Sequence, residues 1–265
     1  MRKLLIVMSV AAAVAFASCQ KEESTPATDP NVQAAVDGDM VSNMYANVDN
    51  EVDQAISLFK AAGQDSIGKR TVVTVQNPNG TITKTITFTN WAVGKNKKWV
   101  KNGQIIVVIS ADKLSRVIEF NNFTINGKKI EGRKQIVYDA KMLTKTVTLT
   151  NGVVTFPDGK TYKYSYTRTW TWVKGADTPL NLMDDEFDLT IKNASGTNRN
   201  GVAFTEETIT PLHLKVTWPV FVSGQVKRVF DNRTVITDYG HGDEDFIVTI
   251  TINGVAKTVD LNSEK

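Results

Sequence analysis

The residue types best suited to ligand chemistry lie on one predicted strand, the segment TYKYSYTRTWTWV from Thr161 to Val173. Because side chains of a β-strand alternate between its two faces, every second residue of this segment shares a face. One face is polar, and the other is aromatic with a single arginine. The aromatic face is either part of the core or an exposed platform for the flat face of a ligand such as a sugar, and we expect the core placement. It consists of Tyr162, Tyr164, Tyr166, Arg168, Trp170 and Trp172.

The arginine of this face has a different requirement in each case. In an exposed face, Arg168 would lie over a neighbouring ring in a cation–π contact. In a buried face, the same guanidinium would need a carboxylate partner, because an unpaired charge in the interior is costly.

A second candidate site is the loop DYGHGDED, which begins at Asp238 and ends at Asp245. A calcium ion takes about six to eight oxygen ligands, and carboxylates around a glycine turn can supply several of them. Asp238, Asp243 and Asp245 are therefore candidate calcium ligands, and calcium is the one cofactor that the sequence suggests. The alternative, which we favour, is a solvated turn whose aspartates bond the backbone.

Evidence for catalysis is thin. The chain has two histidines, His213 and His241, and lacks the serine-hydrolase, zinc-protease and phosphate-loop patterns. Two charged runs, 95–101 around Trp99 and 184–188, are typical of solvated surface, although the basic run is also suited to a polyanion. We identify no catalytic residue and expect a binding or structural protein, with the question of enzyme activity left open.

The single cysteine, Cys19, follows a segment with the order of a secretory signal peptide. Arg2 and Lys3 are followed by an apolar run over 4–16 and then by two small residues. At 1.5 Å per residue this run is about 20 Å long as a helix, which is shorter than the roughly 30 Å of a bilayer core. We therefore predict that residues 1–18 are a signal peptide and that Cys19 is not a catalytic thiol.

The residues around Cys19 add a resemblance to known proteins. The sequence FASC resembles the lipobox of bacterial lipoproteins, in which the cysteine becomes the acylated first residue. The following residues resemble the surface-export signal of Bacteroidota lipoproteins, a lysine and two acidic residues directly behind the cysteine. The resemblance implies lipidation of Cys19, a lipid anchor as the contact with the membrane, and a location on the outer membrane facing the exterior. The implied export signal is Gln20, Lys21, Glu22 and Glu23.

Three segments follow the signal peptide in our interpretation. Residues 19–36 are polar and lack periodicity, which predicts a flexible tether, and residues 37–63 predict an amphipathic helix. The polar face of that helix includes Asn47, Asp49 and Asp53, so we expect it to cover an open end of a sheet rather than to bind a partner. The apolar face consists of Val41, Met44, Val48, Val52, Ile56 and Phe59.

Residues 64–265 alternate between apolar and polar positions and are punctuated by Asn-Gly and Asp-Gly pairs, the strongest short-range hairpin signals. We predict a mainly β fold, a long antiparallel meander of about 12 to 15 strands, either curled or folded into two layers, with the helix packed on it. The predicted turns are Asn79-Gly80, Asn102-Gly103, Asn126-Gly127, Asn151-Gly152, Asp158-Gly159, Asn200-Gly201 and Asn253-Gly254.

The runs IIVVIS, FNNFTINGKKIEG, SGTNRNGVAFTEETITPL, WPVFVSGQV and RTVITDYGHGDEDFIVTITINGVAKTVDL resemble a group of flavobacterial-type surface lipoproteins of unknown function. That resemblance implies a shared fold and brings no activity with it.

Arg2 and Lys3 supply two of the three net positive charges, so the rest of the chain is close to neutral and gives no reason to expect a nucleic-acid partner. We expect a surface lipoprotein with a binding or envelope-structural role, partnered by a glycan or an envelope protein. The alternative is a glycan-handling enzyme or accessory protein.

Overall fold

One helix and one large sheet make up the fold. The computed structural model describes residues 30–56, 66–93, 99–178, 181–231 and 233–262. Thirteen strands lie in chain order in a single sheet, each antiparallel to its sequence neighbours, with β1 and β13 at the two open edges. The predicted mainly β meander with a packed helix is thus confirmed. The elements are α1 (Pro30–Ile56), β1 (Ser66–Gln76), β2 (Ile82–Val93), β3 (Lys101–Ile109), β4 (Ser115–Ile125), β5 (Lys128–Tyr138), β6 (Thr144–Thr155), β7 (Thr161–Lys174), a 3-10 turn (Leu182–Asp184), β8 (Glu186–Thr197), β9 (Ala203–Lys215), β10 (Ser223–Phe230), β11 (Arg233–His241), β12 (Ile247–Ile252) and β13 (Val255–Asp260).

Five of the seven predicted hairpin turns connect strands, and two predictions are wrong. Asn102-Gly103 lies inside β3 and Asn151-Gly152 inside β6, each at a register shift of the ladder. Gly103 has φ +89°, so the residue that can take a positive φ serves a β-bulge rather than a turn. The confirmed turns are Asn79-Gly80, Asn126-Gly127, Asp158-Gly159, Asn200-Gly201 and Asn253-Gly254.

The helix begins earlier than predicted. Residues 30–36, predicted as part of the tether, form the first two turns of α1. Pro30 suits the first position of a helix because its fixed φ is helical and its missing N–H is not needed there. Val32 and Val36 are buried, which gives these turns an apolar contact with the sheet. The predicted end of the helix, after Ile56, lies outside the described residues.

The sheet curls around the helix, so the prediction of a lid with a solvated polar face is wrong. Nineteen of the 27 residues of α1 are buried. Asp49, assigned to the polar face, is fully buried. Polar contacts of the helix reach strands from Arg70 on β1 to Tyr239 on β11, which requires the sheet to surround it. In the described parts of the chain, no helix has the length and apolar character needed to cross a membrane.

Ion pairs join the helix to the surrounding sheet and turns. Every acidic residue of α1 has a basic partner, so the helix carries its charges into the interior in neutralised form. Gly38 lets the helix approach β7, because a Cβ at this position would lie 2.8 Å from the Tyr162 hydroxyl oxygen. The pairs are Asp37–Arg199, Asp39–Arg228, Asp49–Lys134, Glu51–Lys101, Glu51–Arg70, Asp53–Lys145 and Asp53–Arg116.

Candidate functional site

The topology creates a cavity at one rim of the sheet. In a meander, the ends of odd-numbered strands and the beginnings of even-numbered strands meet at the same rim. The last two turns of α1 end at this rim, and the space between them and the strands is a cavity of about 520 Å³, which we call the rim cavity. Its lining residues are Asn50, Asp53, Gln54, Ile56, Ile82, Lys84, Ile109, Lys113, Ser115, Arg116, Tyr138, Met142, Leu143, Thr144, Lys145, Trp170, Trp172, Leu182, Asp185, Phe187 and Val216.

Asp53 is the charged centre of the rim cavity. One carboxylate oxygen accepts a hydrogen bond from Lys145 Nζ at 3.0 Å, and the other accepts from Arg116. Burial alone would raise the pKa of Asp53, but the nearby charges of Arg116 and Lys145 outweigh it and hold the pKa below its usual value. Asp53 is therefore ionised at neutral pH, with one negative charge shared between two cations.

Aromatic rings surround the Lys145 ammonium. Its Nζ lies 4.4 Å from the ring centroid of Trp170, 5.3 Å from that of Phe187 and 6.0 Å from that of Tyr138. The electron-rich ring faces attract the cation where water is scarce. Lys145 thereby fills the aromatic cage, which leaves no room there for a cationic ligand.

Asp185 is the second carboxyl of the rim cavity and stands in a different environment. Burial raises its pKa to about 7, and repulsion from Asp184 acts in the same direction. The side chain is buried, with 4% of the residue exposed. The rim cavity thus pairs a carboxylate that stays ionised with one that exchanges its proton near neutrality.

The predicted aromatic face belongs mainly to the core. Tyr162, Tyr164, Tyr166 and Trp170 are at most 3% exposed and lie inside the curl of the sheet. The platform hypothesis is therefore wrong for these residues, since the helix covers them. Trp170 and the half-buried Trp172 line the rim cavity, so this end of the face borders a space that a ligand could enter.

Arg168 is buried, and among the described residues it lacks the direct carboxylate partner that we expected. Its guanidinium donates to Ser42 Oγ at 2.6 Å and to the Tyr164 hydroxyl at 3.0 Å, and lies 4.0 Å from the ring centroid of Tyr166. The Tyr164 hydroxyl donates in turn to Glu206. The Tyr164 hydroxyl thus bridges the Arg168 guanidinium and the Glu206 carboxylate, so the buried cation is linked to a carboxylate through one hydrogen-bonded group.

The acidic loop has the geometry of a backbone-bonded turn. Asp238 accepts hydrogen bonds from Gly240 N and Gln225 Nε2, both at 2.8 Å, and Asp245 accepts from Ile247 N at 2.9 Å. Among the described residues, no three His, Cys, Asp or Glu side chains come together as a metal site. Calcium at Asp238, Asp243 and Asp245 stays a prediction, which thermal melting with calcium and with chelator will test.

Other predicted sites fall outside the described residues or are buried. Cys19 and the export signal at 20–23 precede the first described residue. Of the basic run, 95–98 is also outside, whereas Lys101 is buried and pairs with Glu51 at 2.6 Å. The expectation of a solvated run is wrong for Lys101, because its inward strand position faces the helix.

Sequence reasoning missed most of the rim cavity. Asp185 lies in an acidic run that is typical of solvated surface, and neither Arg116 nor Lys145 is among the residues singled out from the sequence. The available signal was strand alternation: Arg116 shares its face with Ile118, and Lys145 with Val147, on strands whose other face is mainly polar at this end. A basic residue on an otherwise apolar strand face indicates a buried acidic partner.

A smaller cavity of about 380 Å³ lies on another side of α1 and serves as an internal comparison. Met40, Met44, Trp99, Lys128 and Phe246 are among its lining residues. Among its described lining residues there is no carboxylate, and Phe246 is the one aromatic side chain besides Trp99. The rim cavity is therefore both larger and richer in charged and aromatic groups.

Comparison of the chain with protein-family models, with curated proteins and with solved structures found no match. The function is accordingly inferred from the chemistry of the rim cavity and from the amino-terminal sequence.

Proposed function

We propose that this chain is a surface lipoprotein that binds a small ligand in the rim cavity. The observation that carries the proposal is the cavity itself. Its volume of about 520 Å³ lies within the range of about 300 to 1,000 Å³ that is usual for ligand sites. Apolar and aromatic side chains form most of its wall, and a few charged groups around Asp53 can orient a ligand, as such sites require.

The binding proposal is tested by a ligand screen on the chain from Gln20 to Lys265, which retains every described residue. A ligand at 100 times its Kd stabilises the folded state by about 2.7 kcal/mol, so a raised melting midpoint identifies binders across chemical classes. Trp172→Ala removes a half-buried wall of the rim cavity, and Trp99→Ala is the matched control in the smaller cavity. We expect the first variant alone to lose the response.

Two results would contradict the binding proposal. One is that no ligand class raises the midpoint, which would favour the envelope-structural role. The other is that Trp172→Ala responds to the ligand as the unchanged chain does, which would place binding elsewhere.

The location proposal rests on the amino-terminal sequence. We propose that Cys19 carries the lipid anchor and that residues 20–23 direct the protein to the exterior face of the outer membrane. Cys19→Ser should abolish incorporation of labelled palmitate in cells. Replacing Lys21, Glu22 and Glu23 together by alanine should keep the label and remove the protein from the reach of protease added to intact cells. Palmitate label on the Cys19→Ser protein would overturn the proposed lipidation of Cys19. Unchanged protease sensitivity in the triple variant would overturn the proposed export signal.

Glycan hydrolysis is a second candidate, favoured by the two carboxyls beside Trp170 and Trp172. The pKa of Asp53 is lowered and that of Asp185 is raised to about 7, and a pair separated in this way can divide the base and acid roles. Against it, Arg116 and Lys145 already occupy both oxygens of Asp53. Release of reducing sugar from envelope glycans that disappears in Asp185→Asn would support this candidate, and no release by the unchanged chain would reject it.

A further inference from the structure

Four residues that line the rim cavity have a buried side-chain N–H group without a hydrogen-bond partner among the described residues. These groups are Arg116 Nε, Trp170 Nε1, Trp172 Nε1 and Asn50 Nδ2, and the lining also contains one buried oxygen without a partner, Asp185 Oδ1. Arg116 is 6% exposed and Trp170 is 1% exposed, so water satisfies the N–H groups of these two residues poorly. A buried donor without an acceptor is costly, and a ligand oxygen within hydrogen-bond distance of such a donor would reduce that cost.

The charge balance of the rim cavity is positive. Four cations line it, Lys84, Lys113, Arg116 and Lys145, against two carboxyls, Asp53 and Asp185. Asp53 neutralises one charge of the Arg116 and Lys145 pair. Among the described residues, Lys84 Nζ donates to a backbone carbonyl, that of Ile56, at 3.2 Å and has no carboxylate partner, and Lys113 is exposed. The remaining field favours an anionic group and disfavours a cation.

The wall restricts the rest of the ligand. Aliphatic side chains form much of the cavity wall, and hydroxyl groups of a sugar placed against them would lose their hydrogen bonds to water without replacement. An apolar body, in contrast, gains free energy for each area removed from water. The aliphatic lining residues are Ile56, Ile82, Ile109, Met142, Leu143, Leu182 and Val216.

We propose that the ligand of the rim cavity is an acidic amphiphile of the fatty-acid class, an apolar body with one carboxylate head. The head accepts hydrogen bonds from Arg116 Nε and Trp170 Nε1, and the body lies along the aliphatic wall. This assignment rests on the proposed binding function and specifies its ligand.

Three probes with the same dodecyl body and different heads test the assignment. Laurate, dodecanol and dodecyltrimethylammonium are titrated below their micelle concentrations into the chain from Gln20 to Lys265, by calorimetry. Because a hydrogen bond to a charged group is among the stronger ones, we expect laurate to bind at least about tenfold more tightly than dodecanol. The cationic probe should show no measurable binding. Equal affinity of laurate and dodecanol, or tighter binding of the cation, overturns the assignment.

Two conservative variants locate the head. Arg116→Lys keeps the positive charge beside Asp53 and deletes the Nε donor, and Trp170→Phe keeps an aromatic ring and deletes the indole N–H. Each should weaken laurate binding by about tenfold and dodecanol binding by less, whereas Trp99→Phe in the smaller cavity should change neither. Unchanged laurate affinity in both variants overturns the assignment.

Failure of the assignment can be told apart from failure of the proposed function. If Trp170→Phe or Arg116→Lys does not fold, the exposed Lys113→Gln still reports on the positive mouth and should weaken laurate binding several-fold; unchanged affinity there counts against the assignment. If no dodecyl probe binds but another screened ligand responds to Trp172→Ala, binding stands and the acidic amphiphile is wrong. If no ligand responds, both are wrong.

Discussion

Removal of one buried lysine tests whether ion pairs hold the helix inside the sheet. Lys134 Nζ lies 2.5 Å from Asp49 Oδ1 and also donates to the backbone carbonyl of Tyr45 at 2.7 Å. Both side chains of the ion pair are fully buried, and Asp49 Oδ2 has no partner among the described residues. In Lys134→Met the apolar stem remains and the ammonium is lost, so the Asp49 carboxylate is left without a cation in the interior.

The expected cost is large. Breaking a buried pair by removing one partner destabilises proteins by about 3 to 5 kcal/mol, a substantial part of the roughly 5 to 15 kcal/mol of a typical domain. Asp49→Leu combined with Lys134→Met replaces both charges by apolar groups of similar size. We expect the double variant to recover most of the loss, because no uncompensated charge remains. Urea unfolding followed by tryptophan fluorescence measures the unchanged chain, Lys134→Met, Asp49→Leu and the double variant.

The pH dependence of the free energy of unfolding provides a second test of the Lys134–Asp49 pair. Burial lowers the pKa of Lys134 from 10.5 to about 8, with the charge of Asp49 opposing the shift. Between these values the unfolded chain binds the proton more strongly, so stability rises with pH through this window, by at most about 3 kcal/mol. Lys134→Met should lack this rise. A loss under about 1 kcal/mol in the single variant, or a double variant as unstable as the sum of both single variants, would refute the reasoning.

Three further predictions concern the bulge, the rim cavity and the anchor. Gly103→Ala should lower the free energy of unfolding in urea by more than about 2 kcal/mol, because its Cβ would lie 2.1 Å from Asn122 O. Gly127→Ala, with open space around it, should lower it by about 1 kcal/mol, and equal losses in the two variants would contradict the bulge. Asp185→Asn should raise the melting midpoint relative to the unchanged chain by more at pH 8 than at pH 5, since the stability contributed by a carboxyl whose pKa is raised from 3.8 to about 7 is lost as pH rises between those two values; the same difference at both pH values would contradict it. In cell fractionation, Cys19→Ser should leave the membrane fraction, and its retention there would contradict a lipid anchor.

The sheet was predictable because its signals are local. Alternation and Asn-Gly pairs act between neighbouring residues, and a meander joins only sequence neighbours. The two wrong turns share a cause: a positive φ is needed both at a hairpin turn and at a β-bulge. Asn151-Gly152 and Asp158-Gly159 are seven residues apart. If both were turns, the strand between them would be much shorter than its neighbours, so strand length alone argues against a turn at Asn151-Gly152.

The helix surroundings and the rim cavity were not predictable in the same way. The polar face of α1 is typical of a solvent-facing helix, and only the curl of the sheet supplies a basic partner for Asp49 or Asp53. The rim cavity combines residues from seven strands with the end of the helix, and such a combination depends on sheet curvature. Inward basic residues such as Lys134, on the same face as Ile136, were the one local indication.

The most direct test of the central claim, that the rim cavity is the ligand site, is fluorine NMR of the chain with 5-fluorotryptophan at its five tryptophans. Trp170 and Trp172 line the rim cavity, Trp99 lines the smaller cavity, and Trp218 packs against Phe246 beside it. With saturating laurate, we predict that the resonances of Trp170 and Trp172 shift and those of Trp99 and Trp218 do not. Shifts confined to Trp99 and Trp218, or no shift at saturation, would contradict the claim.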